Sequence, residues 1–94
     1  MTFPILKDKV AIVTGAAMGM GEATARLFAE AGAKVVIADF NDVKGREVTD
    51  SINSAGGTAT FVKVDISKAD QVKAMVDAAV AAYGRLDVAI NNAA

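Results

Sequence analysis

A glycine-rich segment near the start of the chain has the composition of a phosphate-binding turn. Its seven residues are Gly15-Ala16-Ala17-Met18-Gly19-Met20-Gly21, directly after the apolar run Val10-Ala11-Ile12-Val13-Thr14 and before a segment of helical period. A strand that turns into a helix presents unpaired backbone N–H groups and the positive end of the helix dipole. Glycines keep side chains out of the way of an anion that approaches these groups. We therefore predict a phosphate site here, although a turn built only for packing has similar glycines.

Three other polar positions follow apolar runs further along the chain. Asp39 ends the run that starts at Lys34, Asp65 follows a run at 61–64, and Asn91-Asn92 follow a run at 86–90. Each has a simple structural interpretation: a solvated strand end for Asp39, a favourable charge before a helix for Asp65, and a turn for the two asparagines. Their chemical roles depend on the elements that carry them.

The apolar runs predict four strands, at Val10–Thr14, Lys34–Asp39, 58–64 and 86–91, with helical segments between them. The third run alternates in part, which places it nearer a sheet edge. Strand–helix alternation requires parallel strands and right-handed crossovers, so we predict an α/β fold of βαβαβαβ order. A doubly wound sheet would have strand order 3-2-1-4, and ligands would bind beside the switch point between strands 1 and 4.

The spacing of apolar residues and the positions of capping residues and glycines also predict where the three helices begin and end and which of their faces are buried. The first helix starts near Met20 and stops at Gly32, the second is capped by Asn41 or Asp42 and stops at Gly56-Gly57, and the third starts with a Ser67/Asp70 capping box. The predicted inward residues are Ala23, Leu27, Phe28 and Ala31 in the first, Val43, Val48, Ile52 and Ala55 in the second, and Val72, Met75, Val76, Ala79, Val80 and Tyr83 in the third. The second helix is the weakest of the three, because its propensity is lowered by Gly45, Thr49 and Ser51.

Composition excludes several kinds of site within these 94 residues. Cysteine and histidine are absent, which removes disulfides, Cys/His metal sites, a thiol nucleophile and a histidine base. A net charge of −1 with interspersed signs carries no nucleic-acid footprint. No run has the length of a signal peptide core or a membrane span, so we expect no membrane association and a cytoplasmic protein.

The glycine spacing resembles a known signature. Thr14-Gly15-x-x-x-Gly19-x-Gly21 is similar to the T-G-x-x-x-G-x-G motif of the short-chain dehydrogenase/reductase family, and not to the generic G-x-G-x-x-G fingerprint, because Thr24 replaces its last glycine. Asp39, Asp65 and the segment Asn91-Asn92-Ala93-Ala94, which resembles N-N-A-G, match further family motifs in order. The resemblance implies a Rossmann-type fold that binds a nicotinamide dinucleotide.

The resemblance also implies which residues touch that cofactor. In the family the acid after the second strand binds the adenosine ribose, the later aspartate contacts the adenine edge, and the asparagine segment lies along the cofactor. The predicted cofactor-binding residues are Gly15, Ala17, Met18, Gly19, Met20, Gly21, Asp39, Phe40, Asp65, Ile66, Asn91, Asn92, Ala93 and Ala94. Ala94 stands where the family most often has glycine, so it either strains the turn or is tolerated there.

Charge favours NAD over NADP as the cofactor. A 2′-phosphate beside Asp39 would meet a carboxylate, and the positions where NADP-preferring relatives carry a basic residue hold Ala16, Ala17, Phe40 and Asn41. Arg46 is the nearest candidate cation in the sequence, and we expect it on the solvated helix face.

The family's catalytic serine, tyrosine and lysine have no counterpart here. Tyr83 is followed at the fourth position by Asp87, so it does not match the Y-x-x-x-K arrangement, and no serine is suitably placed. We expect residues 1–94 to be the N-terminal part of one cofactor-binding domain, ending before the catalytic half. The resemblance implies that the intact enzyme interconverts secondary alcohols and ketones, as a homodimer or homotetramer. The alternative is a non-catalytic nucleotide-binding or regulatory module.

Overall fold

Four parallel strands alternate with three helices, as the apolar pattern predicts. The computed structural model describes residues 5–92. The elements are β1 (Val10–Thr14), α1 (Gly19–Glu30), β2 (Lys34–Asp39), α2 (Asp42–Ser54), β3 (Thr58–Lys63), α3 (Ala69–Tyr83) and β4 (Val88–Asn91). The strands lie in the order β3-β2-β1-β4, so the predicted 3-2-1-4 topology is confirmed. The carboxyl ends of β1 and β4 therefore lie side by side at the switch point.

The central strands are buried on both faces, which explains their unbroken apolar runs. Alternate residues of β2 point to opposite sides: Val35 and Ile37 pack with α1 and α2, whereas Val36 and Ala38 pack with α3. This arrangement buries every residue of β1. In contrast, most of β4 is exposed, so the sheet of the described residues has a buried centre and an open edge at β4.

The rotation of α1 differs from the prediction. Ala23 and Leu27 were predicted to point inward, but both are exposed, Leu27 by 63%. The face toward the sheet carries Gly21 and Ala25, with Phe28 packed against the same cluster. The close contact of Gly21 with the turn before the helix sets this rotation. The prediction used the hydrophobicity of side chains, and glycine has no side chain, so this contact could not be predicted in that way.

In α2 the predicted inward positions Val48 and Ile52 are buried, whereas Val43 and Ala55 are exposed. Gly45 occupies the buried stripe in place of Val43. A Cβ on Gly45 would lie 2.1 Å from the Phe61 ring, so the glycine that weakens helix propensity is required for packing against β3. Asn41 is the cap, because its side chain accepts a hydrogen bond from the Lys44 amide.

The capping box predicted for α3 was wrong. The helix starts after Lys68 without a side-chain cap, and the Ser67 hydroxyl donates instead to Asp65 Oδ1 at 2.6 Å. Met75 and Ala79 are buried as predicted, but Val80 is 44% exposed. The last strand starts at Val88, two residues later than predicted, and before it the Asp87 side chain accepts a hydrogen bond from the Val10 amide.

The edge strand β3 is partly covered by a side chain of α2. Asn53 Nδ2 donates to the Ala59 carbonyl at 3.0 Å, and Asn53 Oδ1 accepts from the Ala59 amide at 2.8 Å. The amide group of Asn53 thus satisfies backbone groups that another strand would otherwise pair with.

Candidate cofactor-binding site

The glycine turn joins the end of β1 to the start of α1 and leaves the helix terminus open. Gly15 and Gly19 have φ angles of 64° and 63°, a left-handed conformation that glycine adopts without steric cost. Among residues 5–92, no side chain caps α1 at Met18. The amides of the first helical turn are therefore available to an anion at the carboxyl end of the sheet.

Gly21 brings the helix close to the turn. A Cβ at this position would lie 2.0 Å from the Gly15 carbonyl oxygen and 3.2 Å from Ala16 Cα. Only glycine permits this approach, because both contacts are to backbone atoms that have no alternative rotamer. The third glycine of the motif therefore fixes the position of α1 against the turn.

Asp39 connects the end of β2 to the same turn. Its Oδ2 accepts a hydrogen bond from the Ala17 amide at 3.0 Å, and its Oδ1 accepts one from the Asn41 amide at 2.8 Å. A carboxylate oxygen has two acceptor sites, so each oxygen can still accept a hydroxyl hydrogen. Sequence reasoning placed Asp39 at this edge but missed its bond to the turn, which depends on tertiary contact.

A cleft of about 160 Å³ lies between the ends of β2 and β3. It is lined by Gly15, Ala38, Asp39, Phe40, Val64, Asp65 and Ile66. Five of these are predicted cofactor-binding residues, brought together from three separate segments of the chain. Phe40 and Ile66 are 64% and 38% exposed, so the cleft combines apolar walls with carboxylates.

Asp65 supports the loop between β3 and α3. Its Oδ1 accepts from the Ser67 hydroxyl at 2.6 Å and from the Ser67 amide at 3.0 Å. These two hydrogen bonds hold the pKa of the Asp65 carboxyl below its ordinary value, and the bond from the Ser67 hydroxyl has the larger effect. Gln71 Oε1 accepts from the Asp65 amide at 2.8 Å, which fixes the loop from the helix side.

Thr14 links the glycine turn to the end of β4. Its hydroxyl lies 2.9 Å from Asn91 Oδ1 and 3.3 Å from the Ile90 carbonyl, and it accepts from the Asn92 amide at 3.2 Å. The predicted asparagine pair therefore lies beside the turn, across the switch point. Ala93 and Ala94, also predicted to bind the cofactor, lie outside the described residues.

Two of the remaining predicted residues border the turn on the side of α2. Ala17 and Met18 line a groove of about 330 Å³ whose other walls are formed by α1 and α2. Met18 and Met20 are 58% and 81% exposed, whereas Ala17 is buried. Gly19 and Met20 belong to the first turn of α1.

The structure places a cation other than Arg46 against a residue of the cleft. The Arg46 guanidinium pairs with the Asp42 carboxylate and lies 5.2 Å from the centroid of the Phe61 ring. The Lys63 ammonium lies instead 5.1 Å from the centroid of Phe40, a cleft residue. Sequence reasoning missed Lys63 because its position depends on the register that pairs it with Asp39.

Tyr83 makes structural contacts in the sheet and away from the cleft. Its hydroxyl lies 2.6 Å from the Thr60 hydroxyl, and the Lys34 ammonium lies 5.9 Å from the centroid of its ring. Lys34 starts β2, at the end of that strand opposite to Asp39. No helix among residues 5–92 is long and apolar enough to cross a membrane.

The chain matches known proteins over most of its length. A family model described as short chain dehydrogenase matches residues 9–94. Tropinone reductase-like 2 from Erythroxylum coca is 51% identical over 88 residues, which are 94% of this chain and 31% of that protein.

Solved structures agree with the sequence match. The crystal structure of a hydroxysteroid dehydrogenase from Escherichia coli superposes with a TM-score of 0.94 at 38% identity, over 97% of this chain and 39% of that chain. The crystal structure of a short chain dehydrogenase from Mycobacterium smegmatis superposes with a TM-score of 0.93 at 38% identity, over 98% of this chain and 39% of that chain. The chain thus spans about a third of the length of such relatives. With the glycine turn, the 3-2-1-4 sheet and these matches in agreement, the chain belongs to the short-chain dehydrogenase/reductase family.

Proposed function

We propose that the intact protein is an NAD(H)-dependent oxidoreductase that interconverts a secondary alcohol and a ketone. In this proposal, the described segment binds the adenosine and pyrophosphate half of the cofactor. The observation that carries it is the position of Asp39, whose carboxylate borders the cleft and is bonded to the glycine turn. One residue then serves both the sugar and the phosphate parts of the site.

The pyrophosphate fits the turn between β1 and α1. The start of α1 has no side-chain cap among the described residues, and the glycines leave its amides accessible. Unpaired helix amides and the helix dipole favour an anion at this point. Residues 15–21 would hold the pyrophosphate through the backbone, so their glycine content matters more than any side-chain chemistry.

The adenosine fits the cleft beside the turn. Asp39 has acceptor capacity left for the ribose hydroxyls, and a carboxylate that accepts two hydroxyl hydrogens binds a diol selectively. Phe40 and Ile66 would contact the faces of the adenine, and Asp65 would lie near its polar edge. Apolar walls with a few polar groups are typical of such ligand sites.

The charge of the cleft favours NAD. Its two charged lining residues are carboxylates, Asp39 and Asp65, and among the described residues no lysine or arginine lines it. A 2′-phosphate on the ribose would lie against Asp39 and be repelled. Arg46, the cation considered from the sequence, is paired with Asp42 on the helix surface.

The reaction itself requires residues beyond this segment. A bound nicotinamide supplies or accepts a hydride, and the relatives are named as a reductase and as a hydroxysteroid dehydrogenase, which fits transfer in either direction. We place the serine, tyrosine and lysine of the family in the rest of the intact protein. We also propose that the intact protein is a homodimer or homotetramer and that it is cytoplasmic.

The test is a titration of the intact protein with NAD and with NADP, followed by assays against secondary alcohols with NAD and against ketones with NADH. We expect tighter binding of NAD and turnover of at least one alcohol–ketone pair. Equal or tighter NADP binding would contradict the role of Asp39. Binding of NAD without turnover of any member of the panel would instead favour the non-catalytic module.

A further inference from the structure

A lysine outside the cleft contacts one of the cleft's apolar walls. The Lys63 ammonium lies over the Phe40 ring, 5.1 Å from its centroid. Phe40 lines the cleft, whereas Lys63 does not. The contact arises because Lys63 ends β3 directly opposite Asp39, and Phe40 follows Asp39 in the chain.

We propose that Lys63 is a positioning residue for adenine binding, which acts through the Phe40 ring. This inference rests on the proposed function, because it needs an adenosine in the cleft. The ammonium holds Phe40 in the orientation that forms the cleft wall, so that the ring is in place before the adenine arrives.

The contact matters because Phe40 has little else to hold it. The residue is 64% exposed, so packing restrains its ring weakly compared with a core aromatic. A cation within about 6 Å of a ring centroid is attracted by the negative face of the ring. An aromatic wall that is already oriented binds its ligand with a smaller loss of conformational entropy.

Lys63 is free of competing ion pairs. Within residues 5–92 its ammonium makes no salt bridge, whereas Arg46, the other cation over a ring on this side of the sheet, pairs with Asp42. Within the described residues, the contact with the Phe40 ring is thus the only interaction of the Lys63 ammonium, and it orients the ammonium toward the ring.

The experiment compares Lys63→Met with wild type in the intact protein. Methionine keeps much of the length and the apolar stem but removes the charge. The probes are NAD, adenosine monophosphate and nicotinamide mononucleotide, each titrated separately by calorimetry. An exposed cation–π contact corresponds to a change of about two- to fivefold in affinity. We expect that loss for NAD and adenosine monophosphate, no change for nicotinamide mononucleotide, and recovery with Lys63→Arg.

A matched control uses the same substitution at another lysine over an aromatic ring. Lys34→Met removes the ammonium over Tyr83, at the opposite end of the sheet, and should leave affinity for all three probes unchanged. A double variant separates direct from indirect action: once Phe40→Leu has removed the ring, Lys63→Met should cause no further loss.

Several results would overturn the inference. Unchanged affinity for the adenosine probes in Lys63→Met is one, an equal loss for nicotinamide mononucleotide is another, and a full additional loss in the Phe40→Leu background is a third. If the wild-type protein binds NAD and Lys63→Met binds it with the same affinity, only the role of Lys63 is refuted. A wild-type protein that binds neither NAD nor adenosine monophosphate refutes the proposed function, and this inference with it.

Discussion

The hydroxyl of Thr14 lies 2.9 Å from Oδ1 of Asn91, although 77 residues separate the two in the chain. The same hydroxyl accepts a hydrogen bond from the Asn92 amide at 3.2 Å. One side chain thus joins the start of the glycine turn to the end of β4, across the switch point where the order of the strands reverses. Both segments are predicted to contact the cofactor, so this link sets their spacing.

Replacing Thr14 with valine removes the hydroxyl but keeps the shape. We expect the free energy of unfolding to fall by about 1–3 kcal/mol, because the Asn92 amide loses its partner in a partly buried position. Affinity for NAD should also fall, since residues 91–92 lose their tether. Chemical denaturation and cofactor titration of the intact protein measure the two effects. Thr14→Ser retains the hydroxyl and should stay close to wild type; equal losses in both variants would contradict the assignment.

Replacing Gly21 with alanine places a methyl group against the Gly15 carbonyl. We expect a loss of about 3 kcal/mol or more in unfolding free energy, at the upper end of overpacking effects, because the obstacle is backbone. Gly19→Ala is the control: no atom lies within 4 Å of its Cβ position, so the cost there is that of the left-handed backbone, about 1–2 kcal/mol. If thermal or urea unfolding showed Gly21→Ala to be the milder change, the close packing of α1 on the turn would be wrong.

Asp39→Asn should reduce selectivity for NAD. The amide cannot accept from both Ala17 and Asn41 while offering oxygens to a ribose diol, and the repulsion of a 2′-phosphate disappears with the charge. Loss of one hydrogen bond to a charged group corresponds to about tenfold or more in NAD affinity, whereas NADP affinity should hold or rise. Asp42→Asn, which alters a carboxylate outside the cleft, should leave the NAD/NADP ratio unchanged. A ratio that Asp39→Asn does not change would refute the charge argument.

Acid should weaken the junction between β1 and β4 through Asp87. Its hydrogen bond from Arg85, supported by one from the Val10 amide, holds the pKa of Asp87 below the ordinary 3.8. A carboxyl whose native pKa is lowered stabilises the fold above its unfolded pKa, and this contribution is lost as the pH falls through the native value. We expect the free energy of unfolding of wild type to fall more steeply below pH 4 than that of Asp87→Asn, as measured by denaturation at a series of pH values. Parallel curves of unfolding free energy against pH would contradict the prediction.

The edge of the sheet at β3 should depend on Asn53. Asn53→Ala leaves both backbone groups of Ala59 without their side-chain partner, and we expect a loss of about 1–2 kcal/mol in unfolding free energy. Asn53→Asp keeps an acceptor for the Ala59 amide but loses the donor, so its loss should be intermediate. Urea denaturation of the intact protein gives the order; an alanine variant as stable as wild type would show that water replaces Asn53 without cost.

Local sequence patterns were sufficient for the order of elements, the parallel sheet and the strand ends that carry the site. They work because apolar period, glycine position and strand–helix alternation are short-range properties, and the topology of such a sheet follows from connection rules. Asp39, Asp65 and Asn91 could be placed at one edge for the same reason. The preference for NAD is a prediction from charge and from the family resemblance, and titration of the intact protein with NAD and NADP tests it.

Helix rotation, cap identity and the contacts between distant segments were decided only in the folded structure. Leu27 points to solvent because Gly21 must contact Gly15, and Gly45 is buried because Phe61 needs its space. The sequence of the turn by itself predicted that a helix terminus suited to an anion follows β1, and the structure places the uncapped start of α1 there. Only tertiary structure linked that turn to Asp39 and Asn92 and brought Lys63 to Phe40, because strand register and close packing join residues whose spacing along the chain carries no periodic signal.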